Sequence, residues 1–572
     1  MTYKLTGISF GAHAFLVALV CIGFTSSCST SNDGAKSASF AHAAVVSAHP
    51  EASAVGLQVL KDGGNAIDAA VAVQFALAVV YPNAGNIGGG GFLVYRGADG
   101  TFASLDFREA APGAATTDMY LDEEGNPIVD LSLRGQLASG VPGSVDGMVK
   151  AHDRYGVLEW ADLLKPAIEL AEKGFAITEM QAGELNRRKK SFEKYNPEGT
   201  ALVKDTEWVA GDTLVQAELA HTLTLISQQG RAGFYEGETA DRIVAEMAAG
   251  NGIISHDDLK AYQAKWREPV SSTYRGLRVV SMPPPSSGGI ALIAMLKSVE
   301  AYPLSEWGFQ RDSTMRVMIE AERRVYADRA THLGDPDFYD VPREMLIDSA
   351  YNADRMRNLN FNHASFSSDI YAGEIPRTES EETTHFSIVD EDGNAVAITT
   401  TINGSYGSQV VVAGAGFLLN NEMDDFSVKP GAPNMFGLTG GEANAIEPKK
   451  RMLSSMTPTI LEKDGRLFMV VGTPGGSTIM TSVFQTILNV VDFGMDMQEA
   501  VSAPRFHHQW LPAEVAVERE AISKPVRHAL SNTGYKLVNR RAIGRVDAIL
   551  VLPDGTLQGG ADPRGDDVAV GY

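Results

Sequence analysis

Cysteine, basic charge and long apolar runs are all scarce in this chain. The two cysteines, Cys21 and Cys28, both lie in the first 28 residues, so the body can form neither a disulfide nor a cysteine-ligated zinc site. Against 71 Asp and Glu there are 48 Lys and Arg, a net charge of −23. Such a surface repels phosphate backbones and argues against a nucleic-acid partner. Beyond the N-terminus, no apolar run reaches the roughly 20 residues that span a bilayer.

Signatures of phosphate, dinucleotide and metal chemistry are also missing. The run Gly88–Gly91 lacks the Lys-Ser/Thr of a P-loop, and Gly414–Gly416 lacks the third glycine of a dinucleotide fingerprint. No G-x-S-x-G or H-E-x-x-H pattern occurs. His507 and His508 are adjacent, so on a strand they would face opposite sides and could not bind one metal ion together. The sequence therefore predicts neither a metal nor a cofactor.

The N-terminus has the pattern of an export signal. Within residues 1–28, Lys4 precedes the apolar run Phe15–Phe24, and no acidic residue occurs before Asp33. An apolar run this short behind a weakly basic start is typical of an export signal and is too short to cross a bilayer. Residues 29–40 are mostly polar, as in a flexible tether. We therefore predict an exported protein of the bacterial periplasm.

Cys28 is a candidate for lipid attachment. Small residues stand directly before it, as in a bacterial lipoprotein cleavage site, where the cysteine is acylated and becomes the mature N-terminus. Thr25 departs from that pattern, which usually has Leu at this place. The alternative is an ordinary signal peptide that is cut nearby and leaves a soluble periplasmic protein.

The first half of the body has the composition and spacing of a folded protein. Over the whole chain, 44% hydrophobic and 21% charged residues exclude wholesale disorder. The apolar spacing predicts helices at Ser53–Asp62, Ala66–Val80 and Ile290–Val299, and strands at Phe92–Arg96 and Tyr274–Met282. The remainder of residues 159–350 is predicted to be mostly helical.

The second half begins with a strong hairpin signal. Strands His385–Asp390 and Ala395–Ile402 flank a Glu-Asp-Gly-Asn turn. Ahead of them, residues 372–382 are polar and acidic, which predicts an exposed loop where the chain can be cut. Further strands are predicted at Val410–Leu419, Thr457–Leu461 and Leu467–Val471. The mixture of helices and strands implies stacked α/β or α+β layers.

Several longer motifs resemble one enzyme family. In the second half they are residues 383–390 (TTHFSIVD), 418–426 (LLNNEMDDF), 453–459 (LSSMTPT), 472–477 (GTPGGS) and 503–510 (APRFHHQW), and in the first half 64–73, 85–91, 105–109 and 282–289. Their content and order are similar to those of the γ-glutamyltranspeptidases (glutathione hydrolases), which are N-terminal nucleophile hydrolases. The resemblance extends from about residue 41 to Tyr572.

The resemblance implies an α+β fold, a four-layer αββα sandwich, formed jointly by two chains from one precursor. The large subunit would be residues 41–382 and the small subunit 383–572, associated as a heterodimer after cleavage between Glu382 and Thr383. Thr383 would be the nucleophile, and Thr401 matches the family threonine that hydrogen-bonds it. A threonine hydroxyl needs a base, and cleavage would provide a free α-amine with a reference pKa of about 7.7–8.0.

The resemblance also implies a site for a γ-glutamyl group, whose α-carbon carries both an ammonium and a carboxylate. The planar fork of Arg108 would suit bidentate pairing with the carboxylate. The matching residues are Arg108, Ser454 and Ser455 for the carboxylate, and Asn403, Glu422 and Asp425 for the ammonium.

Two loops complete the implied site. Gly475 and Gly476 would supply the backbone N–H groups of an oxyanion hole, because glycine lets the backbone approach closely. Residues 429–441 resemble the lid that closes over the bound glutamyl group. Phe436 stands where many bacterial relatives have Tyr, and it lacks a hydroxyl that could fasten the lid to Asn403. We expect a more loosely held lid and an altered balance between hydrolysis and transfer.

His385, Ser387 and Asp390 are the residue types of a catalytic triad. Alternate residues of one short strand are not expected to converge as a triad requires, so a structural role is predicted for His385. For the tandem His507-His508, packing or hydrogen bonding is predicted.

The leading hypothesis is an autoprocessing γ-glutamyltransferase and glutathione hydrolase. Thr383 would take the γ-glutamyl group from glutathione or another γ-glutamyl amide and pass it to water, an amino acid or a dipeptide. One alternative is an acylase on the same scaffold that acts on glutaryl-cephalosporin-type amides or poly-γ-glutamate. Another is a non-catalytic protein that binds γ-glutamyl groups.

Overall fold

The computed structural model describes residues 37–370, 383–429, 431–432, 434–435, 437–438, 440–519 and 521–572. The strands are β1 (Ala38–Phe40), β2 (Ala44–Ser47), β3 (Gly90–Arg96), β4 (Phe102–Asp106), β5 (Phe175–Ala176), β6 (Thr213–Leu214), β7 (Lys265–Arg267), β8 (Val270–Tyr274), β9 (Leu277–Ser281), β10 (Thr384–Val389), β11 (Ala395–Thr401), β12 (Thr459–Lys463), β13 (Arg466–Gly472), β14 (Phe506–His507), β15 (Val515–Glu518), β16 (Leu537–Arg540), β17 (Asp547–Val551), β18 (Leu557–Gly560) and β19 (Val568–Gly571).

The α-helices connect these strands and cover the sheets. They are α1 (Pro50–Lys61), α2 (Ala66–Val80), α3 (Val129–Leu133), α4 (Ser144–Tyr155), α5 (Trp160–Lys173), α6 (Glu179–Tyr195), α7 (Ala217–Gln229), α8 (Ala232–Tyr235), α9 (Gly237–Ala249), α10 (His256–Ala261), α11 (Gly288–Val299), α12 (Leu304–Trp307), α13 (Asp312–His332), α14 (Arg343–Leu346), α15 (Ser349–Met356), α16 (Ile479–Val491), α17 (Met497–Ser502) and α18 (Lys524–Asn532).

Two seven-stranded antiparallel sheets form the centre of the described structure. The front sheet has the order β19-β2-β10-β11-β3-β4-β7, and the rear sheet has the order β1-β18-β17-β13-β12-β9-β8. Apolar side chains between the sheets, such as Val46 and Val94 from the front and Ile460, Val470 and Ile549 from the rear, form one buried cluster. Burying the inner face of each sheet against the other removes a large apolar area from water.

Helices cover the two outer faces. Residues of α1, α2 and α5 pack with front-sheet residues such as Leu93 and Ile398. Residues of α11, α13 and α16 pack with rear-sheet residues such as Leu461 and Val471. The layers are therefore helix, sheet, sheet and helix, and the predicted α+β αββα sandwich is confirmed. In the ranges that the structure describes, no helix has the length and apolarity that a bilayer crossing requires.

Helix α2 shows why the local sequence folds this way. The Asn65 side chain accepts hydrogen bonds from the first-turn backbone, and the Asp68 carboxylate accepts one from the Asn65 backbone N–H, which is a capping box. Every residue from Ala66 to Val80 is buried, in keeping with a helix that is apolar on all sides. This helix leads into the glycine-rich turn before β3, which places that turn beside the end of β11.

The predicted hairpin is confirmed and brings two threonines to one end of the front sheet. Strands β10 and β11 pair with Thr384 opposite Thr400, and Thr401 lies opposite Gly90 of β3. Thr383 directly precedes β10. Because β10 and β11 run in opposite directions, the start of β10 lies beside the end of β11. Thr383 and Thr401 are therefore at the same end of the front sheet.

One strand prediction was wrong, and two strands have other bounds than predicted. Residues 410–419 form only an isolated bridge between Val411 and Leu418, because Gly414 and Gly416 have φ values of +72° and +75° and turn the chain. The strand predicted at 274–282 is the second arm of a hairpin, which reverses at 275–276 between β8 and β9. The strand expected at 457–461 begins later, at Thr459.

Some predictions fall on residues outside the described ranges. These are the export signal, Cys28, most of the tether, the loop at 372–382 that ends in Glu382, and Phe436. The subunit boundary between 382 and 383 stays a prediction.

Candidate active site

Thr383 is buried and its hydroxyl faces Thr401. The two Oγ1 atoms are 3.4 Å apart, and the backbone N–H of Asn403 donates to the Thr401 hydroxyl at 2.8 Å. Asn403 has φ +68°, in the left-handed region, which directs the chain sharply away after β11. The turn therefore presents the Asn403 side chain to the same cleft as the two threonines.

A narrow cleft collects nearly all of the predicted site residues. They come from five separate parts of the chain: the end of β4, the start of β10, the segment after β11, the segment before β12 and the loop after β13. The cleft is lined by Arg108, Thr383, Thr401, Asn403, Glu422, Asp425, Ser454, Ser455, Met456, Gly476 and Ile479. We call it the first cleft.

Arg108 lies at the centre of a buried charge cluster. Its guanidinium binds the carboxylates of Glu422 and Asp425, which lie on one turn of 3-10 helix at Glu422–Asp425. Burial raises the pKa of both carboxyl groups, and the charge of Arg108 opposes that rise. Burial also works against the Arg108 charge, but the carboxylates outweigh it and raise the pKa of Arg108. Arg108 thus contacts the residues predicted for the ammonium, a contact that the sequence did not indicate.

Two charged residues beside this cluster were missed by the sequence reasoning. Glu109 lies 3.6 Å from the Arg108 guanidinium, and neither of its carboxylate oxygens has a hydrogen-bond partner in the described structure. Burial raises the pKa of Glu109 to about 7. Arg329, on α13, donates to the hydroxyl of Ser455 at 3.3 Å. Glu109 could have been found beside Arg108 in its motif, whereas nothing local distinguishes Arg329 from a solvated helix arginine.

The glycine loop after β13 closes the site on one side. Gly475 has φ +134° and Gly476 has φ +50°, and the Thr478 hydroxyl donates to the Gly475 carbonyl at 2.8 Å. A Cβ at Gly475 would lie 2.5 Å from Thr478 Oγ1, so this position requires glycine. Gly476 lines the first cleft, whereas Gly475 lines the cleft on the other side of Thr383.

That second cleft is wider than the first, and Thr383 borders it as well. Its other polar walls include Asn83, Tyr406, Arg545 and Asp566. Thr383 therefore stands between a small, highly charged cleft and a larger one. A nucleophile in this position can act on a bond whose two halves occupy different clefts.

The loop at 429–441 contacts the first cleft through residues the sequence did not single out. The Asn434 side-chain amide donates to Asp425 at 3.0 Å, and the Met435 N–H donates to Asp424 at 2.9 Å. Met435 Sδ lies 3.5 Å from the Asn403 amide nitrogen. Part of this loop is therefore held by carboxylates and a thioether rather than by an aromatic hydroxyl.

His385 is buried between two hydroxyl groups. Its Nδ1 lies 2.9 Å from Thr399 Oγ1 and its Nε2 lies 3.0 Å from Ser387 Oγ. His385 and Ser387 meet because residues two apart on a strand share one face, but the third residue of a triad does not join them. Asp390 instead accepts from the backbone N–H groups of Ala66 and Asn394, so no triad forms.

We expect His385 to make the protein less stable as the pH falls below about 6.5. Burial lowers its pKa to about 3, so the folded state keeps the imidazole neutral while the unfolded chain binds a proton. Between these pH values the free energy of unfolding then decreases by up to about 1.4 kcal/mol per pH unit. Replacing His385 with Gln should reduce the pH slope of the protein by this one contribution, as measured by urea denaturation of an uncleaved chain between about pH 5 and 7.

The exposed His528 provides the control for this measurement. His528→Gln should retain the pH slope of the parent. An unchanged slope in His385→Gln would show that the buried imidazole does not set the pH dependence.

The tandem histidines pack as predicted among hydrogen-bonding partners. His507 Nδ1 lies 2.8 Å from Thr481 Oγ1, and His508 Nδ1 accepts from the Trp510 N–H at 2.9 Å. Within the described ranges, no group of three or more His, Cys, Asp or Glu side chains could hold a metal ion.

Comparison with known proteins defines the class first. A cephalosporin acylase from Bacillus halodurans superposes with a TM-score of 0.81 at 26% identity, over 94% of this chain and 97% of that one. The γ-glutamyltranspeptidase of Helicobacter pylori superposes with a TM-score of 0.56 at 44% identity, over 58% of this chain and 96% of that one. The fold is that of the N-terminal nucleophile hydrolases.

The sequence comparisons give the family. Residues 52–572 match the family described as gamma-glutamyltranspeptidase. The glutathione hydrolase proenzyme of Escherichia coli is 46% identical over 92% of this chain and 91% of its own length. A glutathione hydrolase proenzyme from a Pseudomonas species is 48% identical over 92% and 94%. The chain belongs to the γ-glutamyltranspeptidase family, and it is an enzyme.

Proposed function

We propose that this chain is an autoprocessing γ-glutamyltransferase and glutathione hydrolase. The observation that carries the proposal is the position of the Thr383 hydroxyl, which stands between the charged first cleft and the glycine loop Gly475–Gly476. The first cleft supplies both a cation and several carboxylates within a small volume, as a zwitterionic glutamyl group needs. The second cleft takes the rest of the amide and, after it leaves, the acceptor.

Maturation begins with Thr383 acting on its own chain. Its Oγ attacks the carbonyl carbon of Glu382, the C–N bond breaks, and the resulting ester is hydrolysed by water. The products are a large chain that ends at Glu382 and a small chain of 383–572, which remain together as a heterodimer. The new α-amine of Thr383 then takes the hydroxyl proton in each later turnover.

Turnover follows as acyl transfer. Thr383 Oγ attacks the γ-carbonyl of glutathione or another γ-glutamyl amide and forms an ester, and the amine leaves with the proton. Backbone N–H groups at Gly475 and Gly476 stabilise the oxyanion that forms at each addition. Water, an amino acid or a dipeptide then takes the glutamyl group and restores the hydroxyl. Each group in this scheme comes from the protein, so we propose no cofactor.

Replacing Gly475 with Ala should lower kcat by about 10²–10³-fold. The loop must shift to admit a Cβ, and the backbone N–H groups of the loop are then too far from the oxyanion to donate to it. Steady-state kinetics with a γ-glutamyl anilide measures this. Gly393→Ala is the matched control: Gly393 also has positive φ, +86°, but a Cβ there meets nothing within 4 Å. An unchanged kcat in Gly475→Ala would show that this loop does not form the oxyanion hole.

The superposition with the cephalosporin acylase supports the acylase alternative. A glutaryl group carries a carboxylate but no ammonium. In the first cleft it would add a negative charge and bring no ammonium beside the lining carboxylates of Glu422 and Asp425, which is unfavourable in a buried site. The γ-glutamyltransferase hypothesis is therefore preferred to the acylase hypothesis and to the hypothesis of a non-catalytic binding protein.

The function is tested by incubating the purified, processed protein with glutathione and, separately, with the glutaryl amide that differs from glutathione only in lacking the α-ammonium. We expect glutamate release from glutathione and a rate increase when a dipeptide acceptor is added. Faster cleavage of the glutaryl amide would favour the acylase, and binding of glutamate without cleavage of either would favour the binding protein.

We also propose that the chain is exported to the bacterial periplasm, on the strength of the N-terminal pattern, with Cys28 as the candidate site of lipid attachment. Fractionation of cells that carry the native chain or Cys28→Ala would distinguish an anchored protein from a soluble one.

A further inference from the structure

Arg329 is a buried cation without a charged partner in the described structure. Other buried arginines of α13 bind carboxylates, as Arg316 binds Asp312 and Arg324 binds Glu320. Around Arg329 no carboxylate oxygen of the described residues lies within 4 Å. Its hydrogen bonds go to hydroxyl groups instead. Since an unpaired buried charge is costly, the position calls for an anion from outside the protein.

The hydrogen bonds of Arg329 lead directly to the first cleft. Its Nε donates to Ser287 Oγ at 2.9 Å, and its Nη2 donates to Ser455 Oγ at 3.3 Å. Ser287 in turn donates from its hydroxyl to the Ser454 carbonyl at 2.6 Å and from its N–H at 2.8 Å. Arg329 therefore holds the backbone of one cleft serine through Ser287 and the hydroxyl of the other directly.

Both cleft serines are oriented as donors by these contacts. The Ser455 oxygen accepts from Arg329, and the Ser454 oxygen accepts from the Met456 N–H at 3.1 Å. In the part of the chain that the structure describes, neither hydroxyl donates to a protein atom. With an N–H already bound at each oxygen, both hydroxyl hydrogens are left for an acceptor in the cleft. A hydroxyl that accepts from a guanidinium is also a stronger donor.

The charge of Arg108 is already balanced. Its guanidinium binds both Glu422 and Asp425, with Glu109 close by. A carboxylate that enters the cleft would therefore meet an Arg108 whose charge is shared among three acids. Arg329 provides the uncompensated positive charge on the side of the two serines.

We propose that Arg329 is a positioning residue for the α-carboxylate of the substrate's glutamyl group. It acts through Ser455, whose hydroxyl it turns toward the ligand, and its own charge offsets that of the carboxylate. The inference rests on the proposed function, because it assigns a group of the γ-glutamyl substrate to one wall of the first cleft. It goes beyond that function by naming a residue outside the cleft lining as a determinant of specificity.

Three competitive inhibitors distinguish binding of the α-carboxylate from binding of the ammonium. L-glutamate has both the α-carboxylate and the ammonium, glutarate lacks the ammonium, and 4-aminobutyrate lacks the α-carboxylate. Arg329→Gln should weaken inhibition by glutamate and glutarate by about 10- to 100-fold and leave 4-aminobutyrate within about twofold of the parent. KM for a γ-glutamyl anilide should rise similarly, with a smaller change in kcat. Arg329→Lys keeps the charge, so its inhibition constants and KM should lie between those of the parent and those of Arg329→Gln.

Arg316→Gln is the matched control, since it removes a buried arginine from the same helix at a position bound to Asp312 and Thr533 rather than to the cleft. It should leave all three inhibition constants unchanged. Ser455→Ala combined with Arg329→Gln should lose less than the two single effects together, because Arg329 acts through Ser455.

Two results would overturn the inference: equal weakening of all three inhibitors, which indicates general disruption, or no weakening of any. If Arg329→Gln fails to mature, the same comparison is made with Arg329→Lys, and equal effects on the three inhibitors there would also overturn it. If the unmodified protein neither cleaves a γ-glutamyl anilide nor is inhibited by glutamate, the proposed function itself fails.

Discussion

The Thr383→Ala chain is expected to remain a single uncut polypeptide with no measurable turnover of γ-glutamyl amides. Thr383 is the residue that borders both clefts with a hydroxyl at the start of β10. Without Oγ there is no nucleophile for the Glu382 carbonyl or for substrate. Losses on removing a covalent nucleophile reach about 10⁴-fold or more. Because one atom serves maturation and turnover, both should fail together.

Intact mass and N-terminal sequence measure the first effect, and kinetics the second. The parent should give a small chain of about 20 kDa that begins at Thr383. Thr383→Ser should still be cut, since it keeps a hydroxyl. Thr384→Ala should be cut and active, because the Thr384 hydroxyl has no hydrogen-bond partner in the described structure. A Thr383→Ala protein that is cut at the same bond would refute autocatalysis by this residue.

Arg108→Gln is expected to damage both stability and substrate binding. Its removal leaves Glu422, Asp425 and Glu109 buried together without their shared cation, and breaking a buried ion pair typically costs about 3–5 kcal/mol. The same change removes the cation that orders the acids of the first cleft. We therefore expect kcat/KM for a γ-glutamyl anilide to fall by about 10³-fold, mostly through KM.

The control for Arg108 is Arg96→Gln, which breaks another buried pair, Arg96 with Glu462 at 2.8 Å, away from both clefts. It should lower the denaturation midpoint in the same way while KM stays unchanged. Arg108→Lys should keep most of the stability and raise KM, because an ammonium cannot reach two carboxylates as the guanidinium fork does. If Arg108→Gln and Arg96→Gln differ only in stability, Arg108 has no part in binding.

Local sequence accounted well for elements whose partners are close in the chain. The hairpin at 385–402 has alternating polarity around a glycine turn, and Ala66–Val80 has a mostly apolar composition that begins with a capping box. The prediction failed at 410–419, where apolar residues suggested a strand but two glycines turn the chain. A short apolar run does not by itself distinguish a strand from a buried loop.

The motifs also contained most of the residues that line the first cleft, but they did not show which of its charged side chains bind one another. Five of the motifs contain residues that line the cleft, and Thr383, Thr401 and Asn403 are brought together by one hairpin. That Arg108 would bind Glu422 was not evident, because the two residues are 314 positions apart. Contacts of this kind depend on how the front and rear sheets stack, and no local period reports them.

The sequence by itself determined the class of protein, the order of its main elements and the residue types of the candidate site, because motifs, turns and caps are local properties of the chain. The tertiary structure decided which charges meet and which remain uncompensated. Arg324 and Arg329 lie on one helix and look alike in sequence, yet one binds Glu320 and the other binds hydroxyls at the first cleft. Burial, which depends on the packed layers, is what turns that difference into a binding determinant.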